Sequence, residues 1–99
     1  MSKIAFSSPF SKSFVHNDNT VGTSASQILA AAAGHEHRIV LVVQNKSDSA
    51  IVQVILADTG SIGLELQPNQ SATLENYNGV VRAISDTAST TVHVAYAIV

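Results

Sequence analysis

From Arg38 onward the chain is a succession of short β-branched runs, each closed by turn formers, and this pattern restricts the fold more than any other feature. Residues 39–43, Ile-Val-Leu-Val-Val, run into Gln44-Asn45-Lys46-Ser47-Asp48-Ser49, and residues 51–56 run into Asp58-Thr59-Gly60. Both read as strands ended by turns. Further runs at 62–66, 71–74, 80–84 and 91–99 are separated by Pro68-Asn69, Asn78-Gly79 and the turn-forming residues 86–89. Pro fixes φ for the first central position of a turn and Asn tolerates the second, while Asn-Gly favours positive φ. In the last run Val92, Val94, Tyr96 and Ile98 alternate onto one face. Six strands at this spacing suit a sandwich or barrel. Residues 30–33 are all Ala, but Gly34 leaves barely two helical turns, so a strand at 26–29 followed by a connection or single helical turn is expected. Without a longer helix no parallel crossover can be built, and the sheets should be antiparallel.

Composition shifts near Asn19. Ahead of it lie Ser2, Ser7, Ser8, Ser11, Ser13 and Pro9, then Asn17, Asp18 and Asn19; behind it Val, Ile, Ala and Thr dominate. The expected organisation is an extended N-terminal arm over residues 1–19 and one all-β domain over 20–99, an antiparallel β-sandwich or jelly-roll-like body. All three Phe residues, Phe6, Phe10 and Phe14, fall in the arm at intervals of four. Pro9 and the serines oppose a helix there, so the three rings are expected to act as separate partner-binding anchors, each contributing about 2 kcal/mol of apolar burial. The surface they meet is either a partner's or that of the chain's own domain.

Charge and composition narrow the function. Five Lys and Arg against seven Asp and Glu leave a net charge of -2, far from the basic footprint that phosphates require, so nucleic acid is not an expected ligand. Only 12% of residues are charged while 45% are hydrophobic, which points to surface that partners cover. No Cys is present, so disulfides, thiolate catalysis and Cys-based zinc sites are out. No run of eighteen apolar residues suggests a membrane span, and the first ten residues lack a leader's apolar segment. The chain is expected to be made in a cytoplasm.

Three motifs carry possible chemistry. Asp58-Thr59-Gly60-Ser61 after an apolar strand looks like the loop of aspartic proteases, in which paired carboxylates share a proton. The glycine-rich flap, the later Gly-Arg sequence and the terminal helix of that pattern are missing, and a strand-ending turn uses the same residues without further demands. His35-Glu36-His37 could present two imidazoles from one strand face, with His93 as a third ligand, yet a polar loop entering the next strand is the simpler reading, and no metal or other cofactor is assigned. No Ser in this chain sits in a nucleophile elbow and no phosphate loop occurs, so an enzyme is not expected. Asn45-Lys46-Ser47 and Asn69-Gln70-Ser71 match the glycosylation pattern but read as turn residues.

Four stretches resemble a pattern common in small tailed-phage virion proteins: residues 21–30, beginning Val-Gly-Thr-Ser; 38–47, beginning Arg-Ile-Val-Leu; 63–71, ending Gln-Pro-Asn-Gln-Ser; and 77–84, beginning Tyr-Asn-Gly-Val. Head decoration (cement) proteins and β-sandwich domains of tails and fibres share it. Asn69 stands where Gly usually follows the Pro, and Val99 replaces the usual acidic terminus. The resemblance implies a virion structural protein, often a homotrimer, that binds the major capsid protein on the assembled head and braces it. A glycan- or receptor-binding tail module is the alternative.

Overall fold

The computed structural model describes residues 14–98, which form eight strands and no helix. In chain order they are β1 (Val15–Val21), β2 (Ser26–Leu29), β3 (Arg38–Asn45), β4 (Val52–Ile55), β5 (Leu64–Leu66), β6 (Ser71–Glu75), β7 (Val81–Ser85) and β8 (Thr90–Ile98). They assemble into two four-stranded antiparallel sheets, ordered β1-β8-β3-β6 and β2-β7-β4-β5. Every connection except the β4–β5 hairpin crosses from one sheet to the other, which is the eight-stranded jelly roll. The expected all-β sandwich is therefore what forms, and the strand at 26–29 is present.

Alternation produces the layers. In β3, Leu41 and Val43 point inward and Val40, Val42 and Gln44 outward; in β8, Val92 and Val94 point inward and Thr91, His93 and Ala95 outward. The inward set packs with Val21, Ile28, Val52, Val54, Leu66, Val81 and Ala83 into one core. Seven of its eleven buried members are valine. Stiff β-branched side chains thus both favour the strands and fill the interior.

Turns lock the strand ends. The backbone amide of Gln70 donates to the Gln67 carbonyl at 3.0 Å, with Asn69 at φ 63°, so the Pro68-Asn69 turn is type II and Asn takes the place glycine often holds. In the hairpin, a Cβ at Gly63 would overlap the Val54 carbonyl, which makes glycine obligatory at that crossing.

The arm boundary at residue 19 needs correction. β1 begins at Val15 and pairs with β8 over seven residues, from Val15 opposite Tyr96 to Val21 opposite Thr90. Residues 15–19 are thus part of the sandwich. This strand carries no apolar alternation because it lies at the sheet edge, where Asn17 and Asn19 occupy the inward positions and backbone pairing holds it in place. Phe6 and Phe10 lie outside the described residues. Phe14, half-buried, stands just before the first paired residue, its ring centroid 6.3 Å from that of His16.

Candidate functional site: a polar row on the outer face of the first sheet

The outward residues of β1, β8 and β3 bring together groups that are distant in sequence. Asp18 faces His93 across the β1–β8 ladder, and His16, two residues earlier on the same face, lies diagonal to it. His93 Nδ1 is 2.6 Å from Asp18 Oδ1, and His93 Nε2 is 3.0 Å from His16 Nδ1. The two rings stack with centroids 5.2 Å apart. Lys46, just past β3, sets its Nζ 3.6 Å from the other Asp18 oxygen. Neutral imidazoles satisfy every bond in one arrangement: His16 Nδ1–H donates to His93 Nε2, and His93 Nδ1–H donates to Asp18. The His93 donor and the Lys46 ammonium thus meet at one carboxylate, and His16 joins the row through His93.

The hydrogen bond from His93, followed by the charge of Lys46, holds the Asp18 carboxyl below its ordinary value of 3.8. A carboxyl lowered on folding stabilises the fold above its unfolded value, and that contribution disappears as pH falls through the folded value. Urea midpoints of the wild type and Asp18→Asn should therefore differ at neutral pH and converge in acid below about pH 3.8. The difference is small, because Asp18 is exposed.

Beside this row the same face is apolar. Val40, Val42, Ala95 and Ala97 are buried, although they point away from the core. Polar residues Gln44, Ser71, Thr73 and Glu75 border them on β3 and β6.

A second feature is the cleft of about 200 Å³ between residues 29–33, Glu36, Tyr96 and Ile98, with Arg38 at its base. Arg38 is only 1% exposed. Its Nη2 donates to the Gly79 carbonyl at 2.6 Å and its guanidinium lies 5.8 Å from the Tyr96 ring centroid. Nε and Nη1 are buried without partners, and loss of water lowers the Arg38 pKa. A buried, half-satisfied cation is a poor source of stability. Arg38→Met should therefore be at least as stable as the wild type, gaining about 1 kcal/mol in chemical denaturation; a loss of that size would show that the Gly79 bond and the Tyr96 contact outweigh the cost of the unpartnered nitrogens.

The residues singled out in the sequence are dispersed. His37 lies in the loop before β3, with Nε2 2.9 Å from Asn76 Oδ1 and Nδ1 3.2 Å from Asn78 Nδ2. His35 is exposed in the same loop, and neither joins His93. Among the described residues, no group of three or more His, Asp or Glu is arranged to hold a metal ion. Asp58 and Ser61 sit exposed in the β4–β5 connection, where Gly60, at φ 95°, accepts from Arg82 Nη1 at 2.9 Å. Tyr77 donates its hydroxyl to the Val80 carbonyl at 2.6 Å, and Tyr77 and Tyr96 both pack on the core. His16 and Asp18 were hidden in the supposed arm; the spacing His-x-Asp was their only sequence signal. Compared with known proteins, the chain matches no family model and no curated sequence.

Proposed function

We propose that this chain is a structural protein of a virus particle, a decoration module that binds the assembled capsid and braces it. The observation that carries this reading is the jelly-roll strand order combined with a filled interior. The order is common to viral capsid and lectin domains, and here the space between the sheets is occupied by Val21, Leu41, Val43, Val54, Val81, Val92 and Val94. Binding therefore falls to the outside, where Ile62 and Leu64 are exposed at 87% and 47%. A surface so poor in charge is suited to contact with protein. In this reading the partner is the major capsid protein, the module acts as a homotrimer on the particle surface, and no reaction or cofactor is involved. Phe6, Phe10 and Phe14 act as anchors on the shell. A module with higher affinity for the assembled shell than for free subunits stabilises the shell by mass action.

The test is to add the protein to capsids that lack it and to follow their disruption by heat or chaotrope. Decorated capsids should survive harsher conditions, and unchanged capsids would overturn the reading. A truncated form starting at Phe14 keeps β1 whole but omits Phe6 and Phe10. Loss of about 2 kcal/mol of burial per ring should weaken its capsid binding by well over tenfold.

A further inference from the structure

We propose that His16 and His93 form a two-imidazole chelate for a zinc-class divalent cation, with Asp18 orienting His93. The inference is independent of the capsid reading. It rests on three observations that coincide at one place on a rigid sheet.

First, His16 Nδ1 and His93 Nε2 converge to 3.0 Å. Zinc bonds imidazole nitrogen at about 2.0–2.1 Å, and a tetrahedral angle then sets two ligating nitrogens about 3.3 Å apart. A shift of a few tenths of an ångström admits the ion. Second, His93 gives its Nδ1 proton to Asp18 at 2.6 Å, which leaves Nε2 as the lone-pair nitrogen facing His16. This is the carboxylate–histidine support that metal-ligating imidazoles use. Third, His16 and Asp18 are exposed and the His93 side chain is one-quarter exposed, so an ion can reach the pair from solvent.

Binding needs one tautomeric change. The His16 proton leaves Nδ1 and is regained at Nε2 through solvent, so the ring stays neutral and both facing nitrogens offer lone pairs. The cation takes the place of the shared proton. Water or a carboxylate from a neighbouring molecule completes the coordination. Lys46 is the charged group opposing the ion, and it is held on the far oxygen of Asp18. Imidazole donors select Cu²⁺, Ni²⁺ and Zn²⁺ over Mg²⁺ and Ca²⁺.

The experiment is a Zn²⁺ titration of tag-free protein, followed by calorimetry and by the ring-nitrogen NMR signals of the four histidines. One ion should bind per chain, moving His16 and His93 together and leaving His35 and His37 in place. His16→Gln and His93→Ala should each weaken binding at least tenfold, and Asp18→Asn by about tenfold, because His93 then loses the carboxylate that orients it. His16→Gln, at an exposed edge position, decides the matter if His93→Ala fails to fold. No binding at millimolar Zn²⁺, undiminished binding in His16→Gln, or signals confined to His35 and His37 would each overturn the proposal. Undiminished binding in Asp18→Asn would overturn the orienting role.

Discussion

Leu41→Ala should destabilise the fold by about 4 kcal/mol, near the upper end of the cost of such truncations. Leu41 is fully buried on the central strand β3, flanked on its own sheet by Leu74 of β6 and Tyr96 of β8. The cost of a cavity depends on how well its walls can close. Here the surrounding core is mostly valine, whose χ1 has little freedom, on strands fixed by two hydrogen-bonded ladders. The walls cannot collapse. A domain of this length has a total stability of roughly 5–15 kcal/mol, so one substitution removes a large part of it. In urea denaturation the midpoint should fall sharply while the slope stays the same. Ile62→Ala is the contrasting variant. Ile62 is 87% exposed, so its loss should change stability by less than about 0.5 kcal/mol. A Leu41→Ala cost below about 2 kcal/mol would show that the sandwich repacks.

The residues that make this core were legible where burial and alternation coincide, in β4, β7 and the first half of β8, whereas β3 is apolar and buried on both faces. Val52 and Val54, or Val92 and Val94, announce an inward face by their spacing alone. β1 shows the opposite. Its inward positions include Asn17 and Asn19, so alternation of hydrophobicity is absent, and what defines it is pairing to the last strand of the chain, from Val15 opposite Tyr96 to Val21 opposite Thr90. Pairing at that range depends on topology, which local pattern does not encode. The outer-face row was lost for the same reason. His93 was visible as a possible ligand but was grouped with His35 and His37, because His16 becomes its neighbour only when β1 is a strand in this register.

Turns divide in a similar way. Pro68-Asn69 behaves as its residues require, with Asn69 at positive φ. At Asn78-Gly79 the positive φ falls instead on Asn76, at 59°, while Asn78 Oδ1 accepts from the Arg38 backbone amide at 2.6 Å. A tertiary hydrogen bond outweighs the local preference there. Arg38 itself, placed by sequence at the polar border of a strand, is buried because the 76–79 loop closes over it and accepts both its amide and its side chain.

Among the described residues, Asn45 is the polar residue on which the most backbone depends, and Asn45→Ala should cost about 3 kcal/mol. In sequence it is one more turn former after β3, and it opens a glycosylation pattern. In the fold it has no exposed surface. Its Nδ2 donates to the carbonyls of Ala50 and Leu66 at 2.8 and 3.1 Å, and its Oδ1 accepts from the Ser47 amide at 3.0 Å. One side chain thus joins the end of β3 in the first sheet to the entry of β4 and the end of β5 in the second. Alanine leaves these backbone groups buried and unpaired, at about 1–3 kcal/mol for each group that water cannot reach. Asn45→Asp separates this account from a simple loss of volume, because it keeps the shape and replaces the donor with an acceptor. The carboxylate would face two carbonyl oxygens without water, which raises its pKa in the folded state. Proton binding to the folded form then favours folding as pH falls, and the protonated acid can restore one of the two donated bonds. At neutral pH Asn45→Asp should be less stable than Asn45→Ala, and the gap should narrow or reverse below about pH 4. Urea midpoints of the two variants across that range measure it; parallel curves would mean that the Asn45 amide does not hold the two sheets together in this way.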